Sequence, residues 1–311
     1  MQSMNLSPKC PDCGEETSTR IGSISDSPTF AGRQLGSFIS GGSLWRCGNC
    51  HLGFRYPVLT KGELDNLYKN GADLAWEATA NDRRDWRTAA EWLDDILPNG
   101  ATVLDIGCFD GGFLDHIGAR YHRFGIEIHP RARAKAEERG VRIIGSDFQE
   151  ISENLGNFDC ITAIDVIEHT ESPRRFVLQL IDLVKPGGYI LIATGNMDSP
   201  TFRLMGSRYW YCTFPEHISF ISRSWCNRIC EITGLQRICD LSFSHGRNGL
   251  RRSLLEAAKN LLYRLSPRLF FRLKGYYLAK GPRTTQPDHG LSPPKWMAAK
   301  DHFMIIFRKK P

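Results

Sequence analysis

The chain has 311 residues, of which 41% are apolar and 24% are charged, and its formal net charge is +6. This composition is that of a globular protein with one large or two ordinary domains, long enough to bury a core. No apolar run approaches the roughly 20 residues that a membrane-spanning helix needs, and the N-terminus lacks the apolar stretch of a secretion signal. We therefore expect a cytoplasmic protein.

Four of the ten cysteines form two Cys-x-x-Cys pairs near the N-terminus, in CPDCG and RCGNC. Two such pairs can converge on one tetrahedral ion, and a reducing compartment favours metal binding over disulfides. We predict a structural zinc site in a ribbon-like segment over residues 1–56. Its inner part, from Gly14 to Arg46, is expected to be a loop rich in glycine and serine. The predicted zinc ligands are Cys10, Cys13, Cys47 and Cys50.

Residues 57–100 are expected to be a linker with helices, the last of which is an amphipathic helix from Asp82 to Leu97. From residue 101 onward, strand and helix patterns alternate. Such alternation predicts an α/β domain over residues 101–311 with a doubly wound parallel sheet. The predicted strands are TVLDIG, RFGIEIH, VRIIGSDF, FDCITAIDVI, GYILIAT, LQRICDLSF and HFMIIFRKK.

The turn after the first of these strands is rich in glycine and leads into a helix, a geometry that brings backbone N–H groups close to a ligand. Its sequence GCFDGG lacks the G-x-G-x-x-G spacing of dinucleotide-binding proteins. Asp105, just before the turn, can receive the amino group of a ligand that contains an amino acid. Ligands of such sheets bind at the carboxyl ends of the strands. Four acidic residues fall at these ends: Asp105, Glu127, Asp147 and Asp165.

The motifs VLDIGCFDGG, FGIEIHP, GSDF, FDCITAIDVIEHTESP and LVKPGGYILIATGN together resemble the class I S-adenosylmethionine-dependent methyltransferases. The resemblance implies a Rossmann-like sheet of seven strands, the last antiparallel to the others. Phe109 stands where many members of the family have glycine. The resemblance also implies that Asp105, Gly107 and Gly111 lie under the methionine part of the cofactor, Glu127 binds the ribose, Asp147 and Phe148 contact the adenine, and Asp165 lies beside the transferred methyl.

Methyl transfer requires that an enzyme position the acceptor and remove its proton. His217 and Glu216 in FPEHISF, and His169 in IEHTESP, are the candidate bases. His217 is favoured because it lies in the segment over residues 196–222, which we expect to be a substrate-facing loop with Tyr209, Trp210 and Tyr211 as walls. For His217 a structural hydrogen bond stays an equal alternative, and His169 is expected either to act as a base or to orient the loop of Asp165.

A ribbon followed by such a domain is similar to methyltransferases of bacterial sugar, polysaccharide and natural-product pathways. The chain is shorter than the larger deoxysugar C-methyltransferases, which have an additional C-terminal domain. We therefore expect the acceptor to be a hydroxyl of a sugar, a glycan or a small metabolite, with carbon less favoured.

Residues 247–283 contain ten basic residues and one acid, so that the rest of the chain has a net charge of −3. Leucines alternate with these basic residues, and Pro267 breaks the pattern. Three interpretations stay open: a lid or dimer helix, a helix on an anionic membrane that holds the protein at its inner face, and an RNA-binding surface of an RNA methyltransferase. A noncatalytic protein of the same fold, with the ribbon as an interaction module, is a further alternative.

Overall fold

A computed structural model describes residues 7–70, 83–151, 158–244, 246, 249–280 and 293–311. Among these residues the strands are β1 (Ser18–Ser23), β2 (Ser27–Phe30), β3 (Arg33–Ile39), β4 (Ser43–Cys47), β5 (Gly53–Tyr56), β6 (Thr102–Ile106), β7 (His122–Ile126), β8 (Arg142–Gly145), β9 (Phe158–Ile164), β10 (Val184–Gly195), β11 (Ser219–Phe220), β12 (Gln236–Phe243) and β13 (His302–Arg308). The α-helices are α1 (Lys61–Asn70), α2 (Arg84–Ile96), α3 (Gly112–His116), α4 (Pro130–Glu138), α5 (Pro173–Leu183), α6 (Pro200–Met205), α7 (Arg223–Thr233), α8 (Leu250–Leu265) and α9 (Pro267–Lys280). None of the helices in these ranges is both long and apolar enough to span a bilayer.

Seven strands form the central sheet, in the order β12-β13-β10-β9-β6-β7-β8. The strands from β6 to β10 pair in parallel, whereas β13 is antiparallel to both β10 and β12. The predicted sheet with an antiparallel last strand is therefore confirmed. Strands β6 and β9 are largely buried, as is typical of parallel strands covered by helices on both faces.

The order in which strands are added to the sheet reverses at β6, which has β7 on one side and β9 on the other. Crossovers from β6 and from β9 leave a crevice at the carboxyl ends of these two strands, where α/β proteins bind their ligands. The helix that we predict before β6 is present as α2. Ser222 caps the start of α7, because its hydroxyl accepts from the Trp225 N–H at 3.0 Å, and Gly234 just after the helix has a left-handed φ of +74°.

A second, four-stranded sheet has the order β1-β4-β5-β11. The expectation of a loop from Gly14 to Arg46 is wrong, because this segment folds into β1, β2, β3 and most of β4. Strands β1 and β3 are largely exposed, so their sequence has little of the apolar alternation by which a half-buried strand is predicted. The fourth strand, β11, comes from residues 219–220 and pairs with β5.

The segment over residues 196–222, which we expect to be a loop, is mostly buried. It contains α6 and short 3₁₀ turns, and its aromatic side chains form a core with Leu44 of the N-terminal sheet. The expectation of a loop is wrong for residues 200–213, because they fold into α6 and 3₁₀ turns around a core assembled from distant parts of the chain. Residues 214–218 form a loop.

Asp12, between the first two cysteines, attaches the N-terminal sheet to the central domain. Its carboxylate accepts from the Arg174 N–H at the start of α5, at 2.7 Å, and from the Trp225 indole N–H, at 2.9 Å. A carboxylate at the N-terminus of a helix is favoured by the helix dipole.

Replacing Asp12 with alanine should lower the free energy of unfolding by roughly 1–3 kcal/mol, because two donors lose a charged acceptor. The measurement is urea unfolding followed by tryptophan fluorescence. The control is Asp95→Ala, which changes an exposed acid. Equal stability of the two variants would contradict the role that we assign to Asp12.

Candidate active site

A cavity of about 290 Å³ lies at the carboxyl ends of β6 and β9. One side is formed by Asp105, the turn over residues 107–110, Arg83 and Trp86. The other side is formed by three histidines, two glutamates and the aromatic residues Trp210, Tyr211 and Phe214. The cavity therefore has a side that matches the predicted cofactor site and a side made of acid, base and aromatic groups.

Asp105 is buried at the end of β6, where its carboxylate accepts from the Thr162 hydroxyl at 2.6 Å. Burial raises the pKa of Asp105 to about 7, an effect that the Thr162 hydrogen bond only partly offsets. A carboxylate that lines a cavity and is held in so dry a place is stabilised by a cation. This environment fits the amino group of S-adenosylmethionine, which is the ligand that the sequence predicts here.

The turn after β6 is left-handed at three positions, with φ of +69° at Gly107, +47° at Phe109 and +75° at Gly111. Phe109 is thus in a conformation that costs roughly 1–2 kcal/mol for a residue with a side chain, which is the physical reason why glycine suits this position. Glu127 holds the turn, since its carboxylate accepts from the Phe109 N–H at 2.9 Å and from the His129 N–H at 2.8 Å. A carboxylate has about four acceptor sites, so Glu127 can also accept from ribose hydroxyls.

Asp165 lies in the cavity just after β9, with a left-handed φ of +56°. Arg83 donates to its carboxylate at 2.5 Å and also pairs with the buried Asp85. Arg83 precedes α2, 82 residues from Asp165 in the sequence, and we did not predict it. A basic residue before a predicted helix is too common a feature to have indicated this contact.

Four of the predicted cofactor residues are not among those that line the cavity: Gly111, Glu127, Asp147 and Phe148. The ribose contact of Glu127 stays a prediction. Gly111 packs closely on α4, so that a Cβ there would lie 3.1 Å from the Ala136 Cα. Asp147 accepts from the Glu150 N–H at 3.2 Å, and the Phe148 ring packs against Phe176. The adenine contacts of Asp147 and Phe148 stay predictions, made for residues that the structure places just beyond β8.

We call the side of the cavity that contains the histidines, glutamates and aromatic residues the acceptor side. His169 and His217 lie side by side there, with ring centroids 5.1 Å apart. The Nδ1 atom of His217 lies 3.0 Å from the Tyr211 carbonyl oxygen, and that of His169 lies 3.0 Å from the Glu216 carbonyl oxygen. A carbonyl only accepts, so each Nδ1 carries the proton and, in a neutral ring, each Nε2 keeps its lone pair. Both histidines are therefore in the tautomer that a base needs.

The Tyr68 hydroxyl lies 3.2 Å from the His169 Nδ1 atom, a contact that the sequence did not suggest.

Burial lowers the pKa of His217 well below its usual value, and the neighbouring His169 lowers it further. His217 is therefore neutral at physiological pH, in the form that accepts a proton.

Glu168 is buried behind the two histidines. It accepts from the Tyr211 hydroxyl at 2.6 Å and from the Thr194 hydroxyl at 2.9 Å, and burial raises its pKa. Gly195 makes this arrangement possible, because a Cβ there would lie 2.5 Å from the Tyr211 ring. Ligand atoms of Glu168, His169 and His217 all lie within 4.8 Å of one another.

His302, at the start of β13, is a third histidine in the cavity wall that we did not predict. Its Nδ1 lies 3.0 Å from the Asp301 carboxylate, which also accepts from the Tyr209 hydroxyl. Burial by itself lowers the pKa of His302, but the Asp301 carboxylate raises it above the usual value. The adjacent pair Asp301-His302 was visible in the sequence, although nothing local connected it to the cavity.

The loop that presents Glu216 and His217 is held by Arg55 of β5. The Arg55 guanidinium is buried and donates to carbonyl oxygens in two places, which are the turn before β4 and this loop. The four accepting carbonyls belong to Gly41 at 2.6 Å, Cys212 at 2.6 Å, Phe214 at 2.8 Å and His217 at 3.1 Å. The N-terminal sheet thus sets the position of the predicted catalytic loop.

Two buried polar atoms of the cavity wall lack a well-formed hydrogen bond in the described part of the chain. They are the carboxyl Oε2 of Glu216 and the indole Nε1 of Trp210, a donor whose one contact is with the Tyr209 hydroxyl. The other oxygen of Glu216 accepts from the Ala31 N–H, at the tip of the β2–β3 hairpin, at 3.1 Å. Burial raises the pKa of Glu216. Because buried polar groups are rarely left unpaired, these two atoms are available to hydrogen-bond a molecule in the cavity.

The four N-terminal cysteines lie together, with all four sulfur atoms within 4.8 Å of one another. The Sγ atoms of Cys10 and Cys50 are 3.6 Å apart, as are those of Cys13 and Cys47. A tetrahedral ion with zinc–sulfur bonds of about 2.3 Å requires sulfur atoms about 3.8 Å apart. The Asn49 and Cys50 N–H groups both point at the Cys47 sulfur at 3.4 Å. This donor set fits zinc.

Comparisons with known proteins identify the family of the chain. Residues 79–239, about half of the chain, match a family described as a methyltransferase domain. The ubiquinone biosynthesis O-methyltransferase of Aromatoleum aromaticum is 30% identical over 165 residues, which are 47% of this chain and 69% of that protein. The corresponding protein of Xanthomonas axonopodis pv. citri is 28% identical over 189 residues, which are 55% of this chain and 79% of that protein.

A solved complex of the Haloferax volcanii Trm112 methyltransferase activator with a putative methyltransferase contains the same fold. The superposition has a TM-score of 0.50 with 14% identity and covers 73% of this chain and 91% of that chain. The present chain belongs to the methyltransferase-domain family. It is a class I S-adenosylmethionine-dependent methyltransferase with an N-terminal four-cysteine segment.

Binding of S-adenosylmethionine should tighten roughly fivefold between pH 6 and pH 7, because the fraction of Asp105 that is ionised rises from about one tenth to one half when its pKa is near 7. The α-amino group of the ligand stays charged over this range. Titration calorimetry at the two pH values measures the change.

In Asp105→Asn the affinity should be weaker and lose this pH dependence. In the control Asp182→Asn, which changes an exposed acid, the pH dependence should be retained. An Asp105→Asn protein whose affinity still rises with pH would show that another group is responsible.

Proposed function

We propose that this methyltransferase methylates a hydroxyl group of a sugar, a glycan or a small metabolite. The unpaired Oε2 of Glu216, with the Trp210 indole N–H in the same cavity wall, is the main support. A hydroxylated acceptor can accept from the Trp210 indole N–H and exchange a hydrogen bond with the Glu216 carboxyl group, so that both buried groups become paired. The similarity to relatives named O-methyltransferases supports oxygen as the acceptor atom.

His217 is proposed as the general base, with its Nε2 as the proton acceptor. When bound, S-adenosylmethionine supplies a methyl group on a positively charged sulfur. The carbon–sulfur bond would break, its electron pair staying on sulfur, as the acceptor oxygen bonds to the methyl carbon. His217 would accept the hydroxyl proton. The Tyr211 carbonyl holds the Nδ1 proton of His217 throughout, which stabilises the ring in its charged form.

His169 and Glu216 are proposed to orient the acceptor, and Asp165 to lie beside the transferred methyl. His302 has a different role. Because Asp301 raises its pKa, His302 is protonated over a wider pH range than His217 and serves better as a hydrogen-bond donor to the acceptor than as a base.

The acceptor can be found by transfer of label from S-adenosylmethionine to pools of sugar nucleotides, lipid-linked glycans, small phenols and RNA. Label in the first three pools supports the proposal, and label in RNA alone would favour an RNA methyltransferase. A chain that fails to bind S-adenosylmethionine in calorimetry would instead be a noncatalytic member of the fold.

With the acceptor in hand, His217→Ala should lower kcat at least a hundredfold, as loss of a general base does, and leave the cofactor Kd unchanged. His116→Ala, an exposed histidine, is the matched control and should have wild-type kcat. Unchanged turnover in His217→Ala would remove His217 from the mechanism.

The pH profile of activity distinguishes His217 from His302 as the general base. At saturating S-adenosylmethionine the titration of Asp105 does not limit the rate. Since the pKa of His217 is lowered, activity should then persist as the pH falls through 6.5, and the acidic limb of kcat/KM for the acceptor should lie below that value. A base with the raised pKa of His302 would give an acidic limb above pH 6.5. The profile of wild type and of His302→Ala between pH 5 and pH 8 decides between them.

We propose that the four cysteines hold one structural zinc ion. Four thiolates leave no open position, so the ion would act through the fold and not in the reaction. Its effect would reach the cavity along β5, which begins three residues after Cys50 and contains Arg55.

The cytoplasm is the proposed location, because all ten cysteines are free in the structure and such thiols persist in a reducing compartment.

Cys13→Ser should bind less than one tenth of the zinc of the wild type, unfold at a lower temperature and lose activity. Elemental analysis, thermal unfolding and turnover measure these effects. Cys239→Ser, which alters a cysteine of β12, is the control and should keep the metal. A wild-type chain purified without metal chelators that contains no zinc would contradict the proposal.

A further inference from the structure

Helix α8 has an exposed stripe of leucines, here called the leucine stripe. It consists of Leu250, Leu254, Leu261 and Leu265, whose exposed fractions are 79%, 62%, 47% and 75%. At 100° per residue these four side chains fall within an arc of about 60°. The opposite side of the helix contains the buried Tyr263. Such a continuous apolar stripe facing away from the core is unusual for a surface helix.

Basic residues border the leucine stripe on both sides. Arg251 and Arg264 lie about 40° beyond its two edges on the helical projection, and both are exposed. In α9 the pattern continues, since the exposed Leu269 and Leu273 alternate with Arg268 and Arg272. The surface therefore combines apolar and positively charged groups.

Acidic groups are nearly absent from this surface. Between residues 250 and 275 the sole acid is Glu256, whose side chain is only 12% exposed and accepts from the Ala298 N–H at 3.0 Å. A second copy of the chain seated on the leucine stripe would therefore bring arginines against arginines. An RNA would pair with the arginines and leave the leucines in water. A bilayer with anionic lipids satisfies both sets of groups.

We propose that α8 and α9 form a surface that binds anionic membranes. The leucine stripe inserts at the boundary between headgroups and acyl chains, and the flanking arginines pair with lipid phosphates. The inner side of the helix pair packs into the buried cluster that also contains Trp210, a residue of the cavity wall, because Tyr263 and Phe270 belong to that cluster. This inference goes beyond the proposed reaction and does not depend on which hydroxyl is methylated.

Vesicle flotation with the full chain tests the proposal. We expect binding to vesicles of phosphatidylglycerol and phosphatidylcholine, little binding to pure phosphatidylcholine, and release as salt is raised. The double variant Leu254→Glu, Leu261→Glu should bind at least tenfold less, and so should Arg251→Glu, Arg268→Glu. The matched control is Leu178→Glu, Leu241→Glu, which alters leucines of similar exposure on other elements and should bind as the wild type does.

The cofactor Kd and the circular dichroism spectrum of all variants should match the wild type, because no substituted residue lines the cavity. Three results would each overturn the proposal. The wild type fails to float with anionic vesicles at low salt. The leucine variant floats as well as the control. The leucine variant changes a dimer into a monomer while no form of the chain binds vesicles, which would assign the stripe to a second copy.

Discussion

The buried guanidinium of Arg55 connects the N-terminal sheet to the reactive side of the cavity, and the geometry of the predicted catalytic loop depends on it. Burial lowers the pKa of Arg55, and an arginine with so little contact with water is tolerated only where its N–H groups are paired. Here the partners are four carbonyl oxygens, three of which belong to residues 212–217. Removing the side chain would leave several buried acceptors unpaired, each at a cost of about 1–3 kcal/mol.

This arrangement explains why the four-cysteine segment is folded into the domain and is not a separate module attached by a linker. Its sheet takes β11 as its fourth strand, its first Cys-x-x-Cys turn docks Asp12 on α5 and Trp225, and its hairpin tip gives the Ala31 N–H to Glu216. Each contact lies within a few residues of a group in the cavity wall or of a helix that supports it. A metal bound by the cysteines would therefore stabilise the site from a distance.

The titratable groups of the cavity fall into two sets, one beside the predicted cofactor site and one on the acceptor side. Asp105 is held so dry that its pKa rises to about 7, which favours a cationic ligand beside it. On the acceptor side, burial and the neighbouring His169 lower the pKa of His217, whereas the Asp301 carboxylate raises that of His302. Groups whose environments move their pKa values apart can serve as base and as hydrogen-bond donor in one site.

The sequence by itself determined the features that local patterns specify. The alternation of apolar strands with capped helices indicated the sheet, the acids at strand ends indicated the crevice, and the spacing of the cysteines indicated their cluster. Phe109 departs from the glycine that is common at this position of the family, and its left-handed φ of +47° explains why glycine suits the position.

Only the tertiary structure decided which distant residues complete the site. Arg83 and His302 reach the cavity from the start of α2 and from the last strand, and Arg55 of the N-terminal sheet holds the loop that lines it. Arg55 donates hydrogen bonds to backbone carbonyl oxygens, which every residue has, so the sequence does not identify its partners. The pairing of β11 with β5 joins segments more than 160 residues apart, and it involves only two residues of β11, too few to show a periodic pattern. Contacts of this kind depend on the assembled fold and not on local propensity.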